Sequence, residues 1–176
     1  PELEAIILYQ LAALSGMARA EGLSMSHVKP HGALSNMACV SMELARSVAA
    51  AVKAFDPALI LLAPALSELC QAGYETGLPA VEEIFADRAY LDDGNLVPRR
   101  RPDAMIHGAE ASLAHVSAML DEQALISVTG KRLPATIGSI CVHGDGPNAV
   151  RTARYLREEL LHRGYRLVAL DALGVA

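Results

Sequence analysis

The run Ala58-Leu59-Ile60-Leu61-Leu62-Ala63 constrains this chain more than any other segment. It is apolar without a break and follows Pro57, and it reads as a strand covered on both faces. Such a strand needs helices on either side of a parallel sheet. The flanking sequence supplies them. Leu3, Ile6, Ile7, Gln10, Leu11 and Leu14 keep helical spacing, with Gly22 as the stop. A second helix is expected from a Ser41 cap through Ala54, carried by Leu44, Ala45, Val48 and Val52. Further helices are expected over 67–75 and 109–122, and from Pro147 to about His162 with Gly164 beyond it.

Short strands are expected at 26–28, 80–85, 139–142 and 166–170, the third of these buried like the 58–63 run. A small hairpin over 124–133 turns at Thr129-Gly130-Lys131. Residues 90–101 are polar and irregular, with Asp93-Gly94 marking a turn. Strands alternating with helices predict an α/β fold with a mostly parallel sheet and right-handed crossovers. About five main-sheet strands are too few to close a barrel of seven or eight. With no repeats or linkers, the 176 residues are expected to form one domain.

Composition removes several classes of function. The net charge is −5, and Arg99-Arg100-Arg101 is the one basic cluster, too short to track a phosphate backbone. Two Phe, five Tyr and no Trp give little for base stacking, so nucleic acid is not an expected partner. The apolar stretch from Ala58 to Leu66 contains Pro64 and is far too short for a bilayer, and Pro1-Glu2-Leu3-Glu4 shows no signal-peptide pattern. Three cysteines without Cys-x-x-Cys spacing fit reduced thiols in a cytoplasm. Apolar residues reach 52%, which suits surface meant for a neighbour, although alanine-rich helices account for part of that share.

Two segments carry the candidate chemistry, Val28-Lys29-Pro30-His31-Gly32-Ala33-Leu34 and Ile140-Cys141-Val142-His143-Gly144-Asp145. Each places His-Gly just past a strand, where ligands bind in α/β sheets. His31 and His143 could bind a metal, position a carbonyl oxygen or transfer protons, or else hydrogen-bond loop backbone. Asp145 could join them, or cap the helix that starts beyond Gly146-Pro147. That helix start could also hold an anion, since Gly144 and Gly146 allow close approach. Lys29 could neutralise a carboxylate or phosphate, and Asn36 could donate to a ligand or cap the following helix. Asp87 and Arg88 sit just past a strand and could face the same mouth or form a local ion pair. His107, His115 and His162 read as ordinary surface or helix residues.

Four segments in this order resemble the LamB/YcsF family, which includes the A subunit of bacterial ATP-dependent 5-oxoprolinase. They are His27 to Leu34 with Asn36-Met37-Ala38; Phe85-Ala86-Asp87-Arg88-Ala89-Tyr90; Gly94 with Leu96-Val97-Pro98-Arg99; and Ile140 to Asp145. The resemblance covers nearly the whole chain. It implies a (β/α) barrel of the glycoside hydrolase/deacetylase type, incomplete here, with its mouth at the strand C-termini. It also implies ATP-coupled opening of the 5-oxo-L-proline lactam to L-glutamate in a cytoplasmic enzyme with two further subunits, B and C. By the same carry-over His31, His143 and Asp145 are the catalytic candidates, and Lys29, Asn36, Asp87 and Arg88 the substrate-binding ones. ATP would bind this chain or a partner, a divalent metal could take part, and a homo-oligomer could form.

The chain departs from the family pattern at Ser35, where tyrosine is usual, and at Gly146, where threonine is common. It also lacks the family's N-terminal strands, with their Asp-x-Asn-x-Asp motif and a Gly-Phe-His segment. Two alternative functions follow. One is a non-catalytic assembly subunit with unpaired strand edges. The other is a metal-dependent, deacetylase-like hydrolase acting on C–N bonds, which would need about three protein ligands.

Overall fold

The structure is a computed structural model that describes residues 1–146 and 148–174. The helix opening expected at Pro147 lies outside the described residues. The described chain is α/β, and its parallel sheet has the strand order β1(His27–Val28), β2(Ile60–Pro64), β3(Ala80–Phe85), β6(Ser139–Cys141). An antiparallel hairpin of β4(Ala124–Ile126) and β5(Arg132–Pro134) stands apart from it. The chain divides into two compact units, residues 1–81 with the segment from Leu170, and residues 82–169.

In the first unit the apolar run becomes β2, and its alternating side chains enter two clusters. Leu61 and Ala63 are buried with Ala45, Val48, Ala49 and Val52 of α3(Met42–Phe55) and with Leu69, Cys70 and Ala72 of α4(Glu68–Thr76). Ile60 and Leu62 pack on the other face with Val81 and Leu170. Each fully buried Leu or Ile stabilises the fold by about 1.5–3 kcal/mol, so this strand alone anchors the unit. Parallel pairing is set by His27 opposite Ile60 and Val28 opposite Leu61.

Serine caps fix where both helices start. Ser41 Oγ accepts from Leu44 N at 3.4 Å, and Ser67 Oγ accepts from Cys70 N at 3.2 Å while donating to Pro64 O at 2.6 Å. α4 ends at Gly77, whose φ of +71° is the left-handed stop that glycine favours. α1(Glu2–Ala20) buries Ile7 and Leu11 and exposes Ile6, Tyr9, Leu14 and Met17. The sequence reading misses one element, the short α2(Gly32–Ala38). Asn36 lies inside it with its side chain exposed, so it does not cap the following helix; Ser41 does.

The second unit pairs β3 with β6 in parallel, with Glu83 opposite Ser139, Ile84 opposite Ile140 and Phe85 opposite Cys141. Two helices of 14 residues each, α5(Ala109–Glu122) and α6(Ala149–His162), pack together here. The segment between β3 and α5 folds on itself through Ala89 N to Ala104 O at 3.0 Å and Val97 N to Ala89 O at 2.9 Å, around buried Ala89, Val97 and Ala104.

Two strand expectations change. Residues 166–169 form no strand, and Leu170–Leu173 is a 3-10 turn, which leaves four strands in the parallel sheet, rather than five, among the described residues. Leu167 and Val168 stay about half exposed, so the run gains neither a ladder nor the burial that would favour one. β6 is half-buried rather than buried, because among the described residues it pairs with one strand alone.

Candidate functional site

Register brings the central pair together. Phe85 and Cys141 are opposed at the ends of β3 and β6, and the ladder continues for one more bond, Ala86 N to Cys141 O at 2.9 Å. Asp87 and His143 each lie two residues past that last pair, so both side chains leave the same end of the sheet. His143 Nδ1 stands 2.8 Å from Asp87 Oδ1 and 2.8 Å from Asp87 Oδ2. Both side chains are about four-fifths buried, so the pair is shielded from water that would otherwise weaken it.

The imidazole is also held by stacking. Its ring lies 5.6 Å from that of Phe85, with 14° between the planes. Phe85 is fixed in turn, since its backbone N–H donates to Tyr90 Oη at 2.8 Å. Burial raises the Tyr90 phenol well above its usual range, so it remains a neutral hydroxyl. With Nδ1–H donating to the carboxylate, Nε2 is the ring nitrogen left with a lone pair.

His143 and Asp87 line a cavity of about 310 Å³. Its other walls are His107 and Gly108, the first turns of α5 and α6 with Ser112 and Thr152, and the Asp145–Gly146 turn. That volume sits at the lower end of ligand pockets and suits a small molecule. The lining is mixed, with Met105, Ile106 and Val142 apolar beside these polar groups.

The remaining candidates fall in different places. Asp145 borders the cavity but is mostly exposed, and lies 3.8 Å from Arg99 Nη1. It does not cap α6: the N-cap residue is Asn148, and no side chain bonds there. Arg88 is buried, donates from Nη2 to Val97 O at 2.8 Å and makes no ion pair with Asp87 among the described residues. Its side chain braces the 89–97 loop, and it is absent from the cavity wall. In the first unit, His31 is the N-cap residue of α2 with extended backbone, and its exposed side chain makes no capping bond. Lys29 is half-buried just past β1, and Asn36 is exposed within α2.

Sequence reasoning missed His107, Ser112 and Thr152 as cavity residues. It also took His115 for an ordinary helix residue, whereas its ring is largely buried, bonds Arg88 O from Nε2 at 3.0 Å and stacks on Tyr90. Burial lowers the His115 pKa, so that ring is held neutral. Among the described residues, no three His, Cys, Asp or Glu side chains gather as a metal-holding group. Asp87 and His143 alone fall short of the donor set a bound divalent ion usually needs.

Comparison with known proteins supplies the family. The LamB/YcsF family model matches residues 1–174, across both units. The chain is 53% identical over 173 residues to the A subunit of 5-oxoprolinase from Azoarcus sp. (strain BH72), covering 98% of this chain and 68% of that protein. It is 44% identical over 166 residues to the protein of the same name from Bacillus subtilis (strain 168), covering 94% and 65% respectively. Among solved structures, the lactam utilization protein from Thermus thermophilus superposes with a TM-score of 0.86 at 39% identity, covering 96% of this chain and 67% of that one. The chain thus spans about two thirds of the length of these relatives. Matched along nearly its whole length in sequence and in fold, the chain belongs to the LamB/YcsF family.

Proposed function

We propose that this chain forms the lactam-handling part of the A subunit of a 5-oxoprolinase, and that His143, oriented by Asp87, moves the protons of ring opening. The observation that carries this reading is the Asp87–His143 pair at 2.8 Å on the wall of a small-molecule cavity. A carboxylate on Nδ1 fixes the imidazole tautomer and stabilises the imidazolium that forms when Nε2 takes a proton.

The chemistry explains the need for ATP as a co-substrate. A five-membered lactam is unstrained and its carbonyl is a poor electrophile. Transfer of the terminal phosphoryl group to the lactam oxygen, with release of ADP, makes that carbon electrophilic. Water then adds to the carbon and gives its proton to His143 Nε2. Collapse of the tetrahedral carbon breaks the C–N bond, His143 returns its proton to the leaving nitrogen, the hydroxyl on that carbon gives its own proton to the freed amine as it becomes the carbonyl, and a γ-glutamyl phosphate remains. A second water hydrolyses that to glutamate and phosphate. ATP could be held here or on a partner, and the two further subunits and a cytoplasmic location belong to the same reading. Three cysteines, Cys39, Cys70 and Cys141, without Cys-x-x-Cys spacing suit a reducing compartment.

The test is 5-oxoproline-dependent release of ADP and glutamate by this chain mixed with subunits B and C. Wild type should turn over, and His143→Asn should lose about a hundredfold or more in kcat. Full turnover by His143→Asn would overturn the role given to that ring.

A further inference from the structure

We propose that the first turns of α5 and α6, with the hydroxyls of Ser112 and Thr152, form a binding subsite for an anionic oxygen group inside the His143 cavity. The inference rests on the lactam-opening reading for what enters the cavity, and adds where a carboxylate or phosphoryl group of that reaction would sit.

Both helices open onto one space. Gly108 and Ser112 from α5, and Asn148, Ala149 and Thr152 from α6, all line the cavity. The two helix starts are close enough for Arg151 Nη2 to reach Glu110 Oε1 at 3.4 Å. Neither helix has a side-chain cap, in contrast to α3 and α4 with their serines. First-turn N–H groups need an acceptor, and the dipole at each helix start favours negative charge.

The second observation is independent of the helix ends. Ser112 and Thr152 are 1% and 8% exposed, and both line the cavity. Among the described residues neither hydroxyl has a hydrogen-bond partner, although each backbone N–H is satisfied, Ser112 N by Gly108 O at 3.0 Å and Thr152 N by Asn148 O at 2.9 Å. Both residues line the cavity, and with no described protein group taking their hydroxyls, the two are placed to donate to a group bound there. They occupy the same position, four residues past the N-cap of their respective helices. An anionic oxygen group placed there would accept from both hydroxyls and from the uncapped N–H groups. The Asp87 carboxylate on the same cavity is already engaged by His143.

Equilibrium binding, measured by calorimetry with the chain in complex with subunits B and C, tests this with three probes. These are 5-oxo-L-proline, 2-pyrrolidone as the same ring without its carboxylate, and inorganic phosphate. Ser112→Ala combined with Thr152→Val should weaken one of the two anionic probes about tenfold, as expected for lost hydrogen bonds to a charged group, and leave 2-pyrrolidone unchanged. Thr152→Ser, which keeps the hydroxyl, should retain wild-type affinity and guards against a folding artefact. Weakened 5-oxoproline with unaffected phosphate identifies the carboxylate as occupant; the reverse identifies a phosphoryl group. Equal affinity of wild type and the double variant for both anions overturns the subsite. If 2-pyrrolidone binds and neither anion does, the lactam reading stands and the subsite falls. If phosphate binds in a Ser112- and Thr152-dependent way and neither lactam does, the subsite stands and the lactam reading falls.

Discussion

His143 Nδ1 is equidistant, at 2.8 Å, from the two carboxylate oxygens of Asp87. A carboxylate shared in that way accepts one N–H along its whole open edge, and it resists rotation of the imidazole. The stacked Phe85 ring resists tilting as well. The geometry therefore fixes which ring nitrogen is basic, and that choice is what an acid–base residue requires.

Asp87→Asn tests the charge rather than the contact. The amide can still bond Nδ1, but it no longer stabilises an imidazolium and can impose the other tautomer. Turnover with the partner subunits should fall about a hundredfold while KM for 5-oxoproline changes little. A change confined to KM would place Asp87 in substrate binding alone.

The support behind the pair is testable through Tyr90. Its buried phenol accepts from Phe85 N at 2.8 Å, and Phe85 carries the stack under His143. Tyr90→Phe removes that acceptor from a buried N–H and should cost about 1–3 kcal/mol in denaturant unfolding. A chain as stable as wild type would show that the bond contributes nothing.

His115 sets a pH limit on stability. Burial holds its folded pKa below the ordinary histidine value of 6.5, so the unfolded chain takes up the proton first as pH falls. Stability from this group is full above that ordinary value and is lost as pH drops through the folded pKa. His115→Gln removes the titration and can keep a donor toward Arg88 O. Its urea midpoint should therefore change less than that of wild type between pH 7 and the folded pKa. Parallel pH profiles for the two proteins would refute the assignment.

Gly73 of α4 sits close against β2 and β3. A Cβ there would lie 3.1 Å from Leu61 Cδ2 and 3.2 Å from Ala80 Cβ. Ala80 cannot retreat without moving β3, so the branches of a valine have nowhere to go. Gly73→Val should destabilise by about 1–3 kcal/mol, read as a lower thermal midpoint.

These cases also explain what the sequence could reveal. β2 was legible because a strand buried on both faces must be apolar at every position, and Ser41 was legible as a cap because capping is local. The Asp87–His143 pair was not legible as a pair. Its members are 56 residues apart and meet only through the register of β3 on β6. His115 looks solvent-facing in sequence, and packing against Tyr90 buries it. Ser112 and Thr152 gave no signal, since hydroxyls four residues into a helix are common on any surface. Residues 166–169 carry strand-like composition, but burial and pairing decide a strand, and they have neither.

His31 allows the cleanest separation of stability from chemistry. It is exposed, its extended backbone carries the turn into α2, and its side chain makes no capping bond. The left-handed φ of +65° at the next residue, Gly32, sets that turn without help from the imidazole. His31→Ala should therefore leave the thermal midpoint unchanged, within about 0.5 kcal/mol of stability, as for other exposed positions without a special contact. If the ring takes part in lactam opening, turnover of the assembled enzyme should still fall at least tenfold, with an unaltered melt. A variant that keeps both its melt and its turnover would remove His31 from the catalytic set and leave the chemistry to His143 and Asp87.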